Sequence, residues 1–287
     1  MKGIILAAGK GTRLYPMTKP VCKPLLPVYD KPMIYYPLAV MLQAGIRDIL
    51  IIIPPGTEEN FRSLFGSGRQ LGIHIEYKCQ IVARGIADAF LLGKEFIGDD
   101  DVCLILGDNI LWHNNIVQVL KGASKQQRGA QIFGYWVEDP KPFGVVEFDK
   151  DGQAISIEEK PQYPKSNYIV PGLYFYDNRV VEIAKTLEPS QRGELEITDV
   201  NLAYLRDREL TVTPLDKSFI WKDTGTADSL LDAAQTVEEF QKKGIYIGCI
   251  EEIAWRLGFI GDDDFYKLSK ALSQSVYGQY LMNLIKK

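Results

Sequence analysis

Lys2-Gly3-Ile4-Ile5-Leu6-Ala7-Ala8-Gly9-Lys10-Gly11-Thr12-Arg13, the opening of this 287-residue chain, is an apolar run that empties into a glycine-rich turn and ends on an arginine. Residues 2–8 predict a strand. In the turn, glycine permits positive φ and leaves no Cβ in the way, so backbone N–H groups can approach anionic oxygens, and Arg13 adds a planar cation with several donors. With Lys23 ten residues further on, the turn is suited to phosphate. Spacing excludes two common phosphate loops. A Walker A loop needs Gly-Lys-Ser/Thr, and Gly9-Lys10 is followed by Gly11; a dinucleotide fingerprint needs a third glycine where Leu14 stands.

Outward from this turn, apolar strands alternate with helical segments. Asp30 caps a predicted helix over 32–44 closed by Gly45, residues 48–53 read as a buried strand stopped by Pro54-Pro55-Gly56, and a short helix begins at Thr57. A strand at 73–77, a helix over 85–96 and a third apolar strand at 102–106 follow. Continuous apolar strands separated by helices imply a parallel sheet covered on both faces. Beyond residue 130 the strands (131–137, 144–148, 154–157, 167–176) carry turn signals, with Asp149-Lys150-Asp151-Gly152 marking a hairpin, so the sheet is expected to be mixed. Helices return at 178–187, 197–206 and 226–242. From Ile250 onward the chain reads as helix with breaks near 258–261 and Gly278. The expected organisation is an α/β core over 1–242, its halves meeting near residue 130 (1–130 and 131–242), and a small helical subdomain over 243–287.

Composition narrows the partners. With 33 basic and 37 acidic residues the net charge is −4, and no run of like charge suggests a nucleic-acid surface or a polybasic membrane patch. Cys22, Cys79, Cys103 and Cys249 lie far apart without a C-x-x-C pair, and only two histidines are present, so neither a disulfide scaffold nor a zinc site is indicated. No apolar stretch reaches membrane-spanning length, and Met1-Lys2 leads directly into a strand without a cleavable signal pattern. The expectation is a cytoplasmic protein with reduced thiols and a small-molecule partner.

Asp108 follows the strand at 102–106, where open parallel sheets bind ligands, and suits a metal ligand. Asp223 stands in Trp221-Lys222-Asp223-Thr224-Gly225-Thr226, where an aspartate is equally a helix-start cap. Lys160, after Glu158-Glu159, reads equally as a surface lysine.

The ordered motifs together resemble the sugar nucleotidyltransferase family over essentially the full length. They are the opening loop, Tyr29-Asp30-Lys31-Pro32-Met33-Ile34-Tyr35-Tyr36-Pro37, Leu106-Gly107-Asp108-Asn109, Glu158-Glu159-Lys160-Pro161, Gly172-Leu173-Tyr174-Phe175-Tyr176-Asp177, Arg192-Gly193-Glu194-Leu195-Glu196-Ile197-Thr198-Asp199 and Asp223-Thr224-Gly225-Thr226. The resemblance implies a Rossmann-like, mostly parallel mixed sheet flanked by helices. It also implies Mg²⁺-dependent nucleotidyl transfer from dTTP to glucose 1-phosphate, giving dTDP-glucose and pyrophosphate.

Residue by residue, the resemblance makes Arg13, Lys23, Asp108, Lys160 and Asp223 catalytic, with Asp108 and Asp223 as the Mg²⁺ ligands. It assigns Ala8, Gly9, Gly11, Thr12, Arg13, Gln80, Gly85 and Asp108 to the nucleotide. Gly144, Glu159, Lys160, Val170, Tyr174 and Arg192 fall to the sugar phosphate. Glu252 and Arg256 are candidates for a regulatory nucleotide site between subunits of a homotetramer, although their spacing alone favours an ordinary helix-surface pair.

The chain departs from the family's usual pattern at Ile81-Val82-Ala83-Arg84 (usually Pro-Ser-Pro-Asp), Asp88 (a common glutamine), Cys22-Lys23-Pro24 (Ser-Lys-Gln), Phe143 (tyrosine) and Trp112-His113 (Tyr-Gly). UTP or another sugar 1-phosphate is therefore an alternative substrate, and a non-catalytic sugar-nucleotide sensor the alternative from another class.

Overall fold

The computed structural model describes residues 1–125 and 128–285. The chain runs β1 (Lys2–Leu6), β2 (Pro27–Val28), β3 (Lys31–Pro32), α1 (Tyr35–Gln43), β4 (Asp48–Ile53), α2 (Glu58–Phe65), β5 (His74–Cys79), α3 (Asp88–Leu92), α4 (Lys94–Ile97), β6 (Val102–Leu106) and β7 (Asn109–Trp112). It continues with α5 (Ile116–Ala123), β8 (Ala130–Trp136), β9 (Gly144–Phe148), β10 (Ala154–Glu159), β11 (Tyr168–Ile169), β12 (Leu173–Tyr176), α6 (Val180–Thr186) and α7 (Ile197–Arg206). The last elements are β13 (Leu210–Pro214), β14 (Ile220–Asp223), α8 (Ala227–Lys242), α9 (Ile250–Arg256), α10 (Asp262–Ala271) and α11 (Val276–Ile285).

One sheet carries most of this, in the order β10-β9-β11-β8-β12-β6-β1-β4-β5, with β13 added to β8. The stretch β6-β1-β4-β5 is parallel, β12 runs antiparallel to both β6 and β8, and β13 runs parallel to β8. The apolar strands are continuous because both faces are covered. Ile5, Ile51 and Ile105 share one core with Leu38 and Leu42 of α1, whereas Ile4, Leu50 and Leu104 share another with Phe90 of α3 and Val200 and Tyr204 of α7. That alternation is the two-residue period of a strand, and each fully buried isoleucine contributes about 1.5–3 kcal/mol. Cys249, Ile250, Ala254 and Leu281 of the helical end join the first of these cores. Buried Lys31 lies against the rings of Tyr36 and Tyr277 and pairs with Asp30, and Tyr277 donates to Glu251 on α9. No helix among the described residues is long and apolar enough to cross a membrane.

Several local expectations are corrected. Asp30 caps nothing: β2 and β3 pair across it, Lys31 takes its carboxylate, and α1 starts only at Tyr35 with Ile34 as its N-cap. The helix expected over 85–96 is two short ones separated at Gly93, where a Cβ would lie 2.8 Å from Ile4 of the sheet. Gly278 does not break a helix but sits inside α11, pressed against the carbonyl of Leu272. The expected strand over 167–176 is interrupted at Pro171-Gly172, and the loop at 149–152 turns between antiparallel β9 and β10.

Away from the cleft, Asp177 ties β12 to its surroundings. It accepts from the Gly129 amide at 2.7 Å, the Tyr204 hydroxyl at 2.7 Å and Arg179 at 2.7 and 2.9 Å. Burial works to raise this carboxyl, and those bonds from Arg179, Tyr204 and Gly129 outweigh it, leaving it below the usual aspartate range. Such a group stabilises the fold fully above its unfolded pKa near 4, and the contribution fades as pH falls through the lower folded value. Arg179→Met is therefore expected to cost about 2 kcal/mol at pH 7 and progressively less below about pH 4. Urea melts at both pH values check this; an equal cost at both would reject it.

Candidate active site

β1 leads onward to β4 on one side while β6 flanks it on the other, so a crevice opens where these strands end. Ala7 N–H donates to Ile52 and Gly107 N–H to Leu6, which draws the two strand ends together. Gly107 is needed there, since a Cβ would stand 3.0 Å from Ala7. Beyond β1 the backbone turns at Gly11, with φ 62°, and its carbonyl accepts from Thr18 at 2.7 Å. A Cβ on Gly11 would meet Lys23 and Thr18 at 3.0 Å, so the turn lies directly on the buried Lys23 stem. The Lys23 ammonium is thereby delivered to the Asp108 carboxylate, with which it pairs.

Asp223 reaches the same place through a two-stranded ribbon. β14 pairs antiparallel with β7 in the register Asp223↔Asn109, and the Thr224 hydroxyl donates to the Asp108 carbonyl at 3.0 Å. Asp223 therefore ends a strand and is not a cap. α8 is capped by Thr226, reciprocally with Ser229. Burial first, and the Asp108 charge second, push the Asp223 carboxyl above the usual aspartate range, against the pull of Lys23 and Arg13. The backbone at Gly225 makes room for the Arg13 guanidinium: a Cβ there would stand 2.7 Å from it. Because only a flexible side-chain tip is in the way, Gly225→Ala is expected to keep wild-type stability while lowering turnover about tenfold by displacing Arg13. Thermal melting beside an activity assay tests this; a loss of fold, or unchanged turnover, would contradict it.

Arg13, Asp108 and Asp223 border a cavity of about 480 Å³ that continues to Glu159, Lys160 and Tyr174. Glu159 accepts from the Thr198 hydroxyl at 2.6 Å, with Lys160 Nζ 3.7 Å away. Lys160 holds φ 45°, an uncommon setting for a lysine, and its N–H donates to the Phe143 carbonyl. Gly144 and Val170 also line this space, and Phe143 stands edge-on to Trp221 at 5.3 Å. A smaller space of about 190 Å³, bordered by Gly9, Lys23 and Asp108, adjoins it.

Three of the expected residues, Arg192, Gln80 and Gly85, do not line either space. Arg192 is held by Glu196 at 2.7 Å, Glu194 at 3.3 Å and Glu159 at 3.4 Å, outside the lining of either space. Gln80 and Gly85 are also outside it. Gly85 has φ 102° beneath Leu195, whose amide donates to the Arg84 carbonyl and whose carbonyl accepts from Ala87. Gln80 donates its amide to buried Asp88 at 2.9 Å, and Arg84 caps that carboxylate at 2.6 Å. A carboxylate only accepts, so the Gln80 carbonyl oxygen must face away from it.

Asn109 was not anticipated. It donates to Asp108 at 3.0 Å and accepts from Trp221 at 2.6 Å and from the Gly172 amide at 3.2 Å, bracing the acidic pair. Its signal was the short run Asn109-Ile110-Leu111-Trp112, readable as a strand only with its partner in view. Among the described residues no group of three or more His, Cys, Asp or Glu side chains gathers to hold a metal. Asp108 and Asp223 offer two carboxylates beside an open cavity, a donor set that fits a hard divalent cation completing its shell with phosphate oxygens and water.

The family model for nucleotidyl transferases matches residues 2–239. The chain belongs to the nucleotidyl transferase family. It is 54% identical over 288 residues, all of both chains, to the glucose-1-phosphate thymidylyltransferase of Neisseria meningitidis serogroup A / serotype 4A. A candidate glucose-1-phosphate thymidylyltransferase from Bacillus anthracis, solved in complex with a sucrose, superposes with a TM-score of 0.76 at 43% identity. That match covers 82% of this chain and 94% of the other. A UDP-glucose pyrophosphorylase complexed with UDP-glucose shares the fold at a TM-score of 0.72 and 24% identity, over 84% of this chain and 98% of the other. In this nucleotidyl transferase Glu252 and Arg256 lie on α9, paired at 2.7 Å, with the Tyr280 hydroxyl on Glu252 at 2.7 Å. His113 stacks on Phe219 at 4.1 Å, and Trp112 meets Phe240 at 4.7 Å.

Proposed function

We propose that this nucleotidyl transferase joins dTTP to glucose 1-phosphate, releasing pyrophosphate and dTDP-glucose. One observation carries the reading beyond family membership. Arg13, Asp108 and Asp223, with Lys23 paired to Asp108, line the same cavity as Glu159, Thr198 and Lys160, a set suited to a polyol phosphate. A non-bridging oxygen of the sugar phosphate attacks the α-phosphorus in line. The new O–P bond forms as the bond to the α–β bridging oxygen breaks, and pyrophosphate departs with that electron pair. Arg13 and Lys23 offset the charge of the triphosphate and of the leaving group, and Lys160 draws in the sugar phosphate, which suppresses the repulsion between two anions. Asp108 and Asp223 would hold Mg²⁺, which when bound neutralises phosphate oxygens.

With its amide on Asp88, the Gln80 carbonyl oxygen meets no donor among the described residues and offers an acceptor for the imide N–H of a pyrimidine. Thymine and uracil share that edge, so UTP is the second reading, and exposed Ile81 and Val82 occupy the altered bridge beside it. Pyrophosphate release measured with dTTP against UTP, across several sugar 1-phosphates and with or without EDTA, tests all of this. The highest kcat/KM is expected for dTTP with glucose 1-phosphate, abolished by EDTA. Preference for UTP would establish the second reading, and no release from any pair would overturn both.

A further inference from the structure

Asn201, on the inward face of α7, lines the 480 Å³ cavity although only 1% of it is exposed. Its Oδ1 accepts from the Tyr176 hydroxyl at 2.5 Å. Tyr176 is itself enclosed by Phe90 at 5.5 Å, Tyr174 at 6.1 Å and Tyr204 at 5.5 Å, and Tyr204 is anchored by Asp177. Among the described residues Asn201 is the acceptor for this buried hydroxyl. The opposite amide orientation would strand the buried hydroxyl hydrogen without a partner. Asn201 therefore turns its carbonyl to buried Tyr176, which leaves Nδ2, the other polar atom of a side chain that lines the cavity, with no acceptor among the described residues. One turn earlier on the same helix, Thr198 holds Glu159. α7 thus sets a fixed acceptor and a fixed donor side by side in one pocket.

We propose that Asn201 is a specificity-determining residue, donating Nδ2–H to one hydroxyl oxygen of the sugar, with Tyr176 as the positioning residue that fixes the amide. This rests on the sugar 1-phosphate reading above. A pocket built to bond a hydroxyl discriminates strongly against an analogue that lacks it, because the buried donor is then left unpaired.

The test uses the full chain, dTTP, and glucose 1-phosphate beside its 2-, 3-, 4- and 6-deoxy analogues. Wild type is expected to lose at least about tenfold in kcat/KM for the analogue lacking the contacted hydroxyl. Asn201→Ala should lose about tenfold on glucose 1-phosphate, mostly through KM, while changing that one analogue less than about threefold and leaving KM for dTTP unaltered. Asn201→Asp keeps an acceptor for Tyr176 and, when ionised, removes the donor, so at pH 8 it should show the same selective loss, in a protein that melts below wild type because the new carboxylate is buried. Tyr176→Phe should blunt the discrimination part-way. Equal losses on every sugar, a change confined to dTTP, or full discrimination retained in Asn201→Asp would overturn the inference while the sugar 1-phosphate reading stands. Absence of wild-type turnover with any of these sugars would overturn that reading and the inference with it.

Discussion

Asp108→Asn and Asp223→Asn are each expected to lower kcat about 10³-fold or more, equivalent to about 4 kcal/mol of transition-state stabilisation. Neither change alters side-chain volume, and the ribbon that joins them is held by backbone pairing and by Thr224 on the Asp108 carbonyl, so both variants should fold. The two differ in stability. Asp108 accepts from Lys23 and Asn109, so its replacement weakens a formed ion pair. Asp223 is pushed above the ordinary aspartate range by burial and by Asp108, which means that folding disfavours its ionised form. By linkage that cost is present at neutral pH and absent below the unfolded pKa. In metal-free buffer at pH 7 Asp223→Asn should therefore melt no lower than wild type despite being nearly inactive. Pyrophosphate release and thermal melting decide the matter, and more than a tenth of wild-type turnover in either variant would remove the acidic pair from the mechanism.

The second large effect is expected of Lys23→Met, at about 10² to 10³-fold in kcat and about 2 kcal/mol in stability. The lysine is 7% exposed, and its ammonium is the cation paired directly with Asp108. Without it Asp223 still feels the charge of Asp108, with Arg13 as the remaining cation that acts on it among the described residues. Lys23→Arg should rescue little, because the lysine stem is packed against the Gly11 turn and a planar fork needs different room. Turnover above half of wild type in Lys23→Met, or full rescue by arginine, would show that this ammonium is dispensable.

The strands that build the crevice were legible because they are buried on both faces: 102–106 is continuous apolar sequence, and 48–53 has a single polar residue at its start. That placed Asp108 beyond a strand end by reasoning alone. Asp223 was not legible in that way. Asp-Thr-Gly-Thr is turn chemistry, and the capping signal it carries belongs to Thr226; only pairing with a distant strand reveals Asp223 as a strand end. The motif resemblance put it with Asp108 before any geometry did. Gln80 illustrates the converse. Its residue type suggested base reading, but the direction of its amide depends on Asp88 and Arg84, whose mutual contact no local pattern announces.

The ribbon also bears on how the protein comes into being. Thr224 and Asp108, which it joins, are 116 positions apart. A ribosome adding about 5–20 residues per second needs about 6–23 s to cover that distance. For that interval the emerging chain carries its glycine turn, Lys23 and the first carboxylate without the second, so under the proposed mechanism a half-made polypeptide cannot yet perform the chemistry. Competence arrives late in synthesis, when the segment from Ile220 to Asp223 docks.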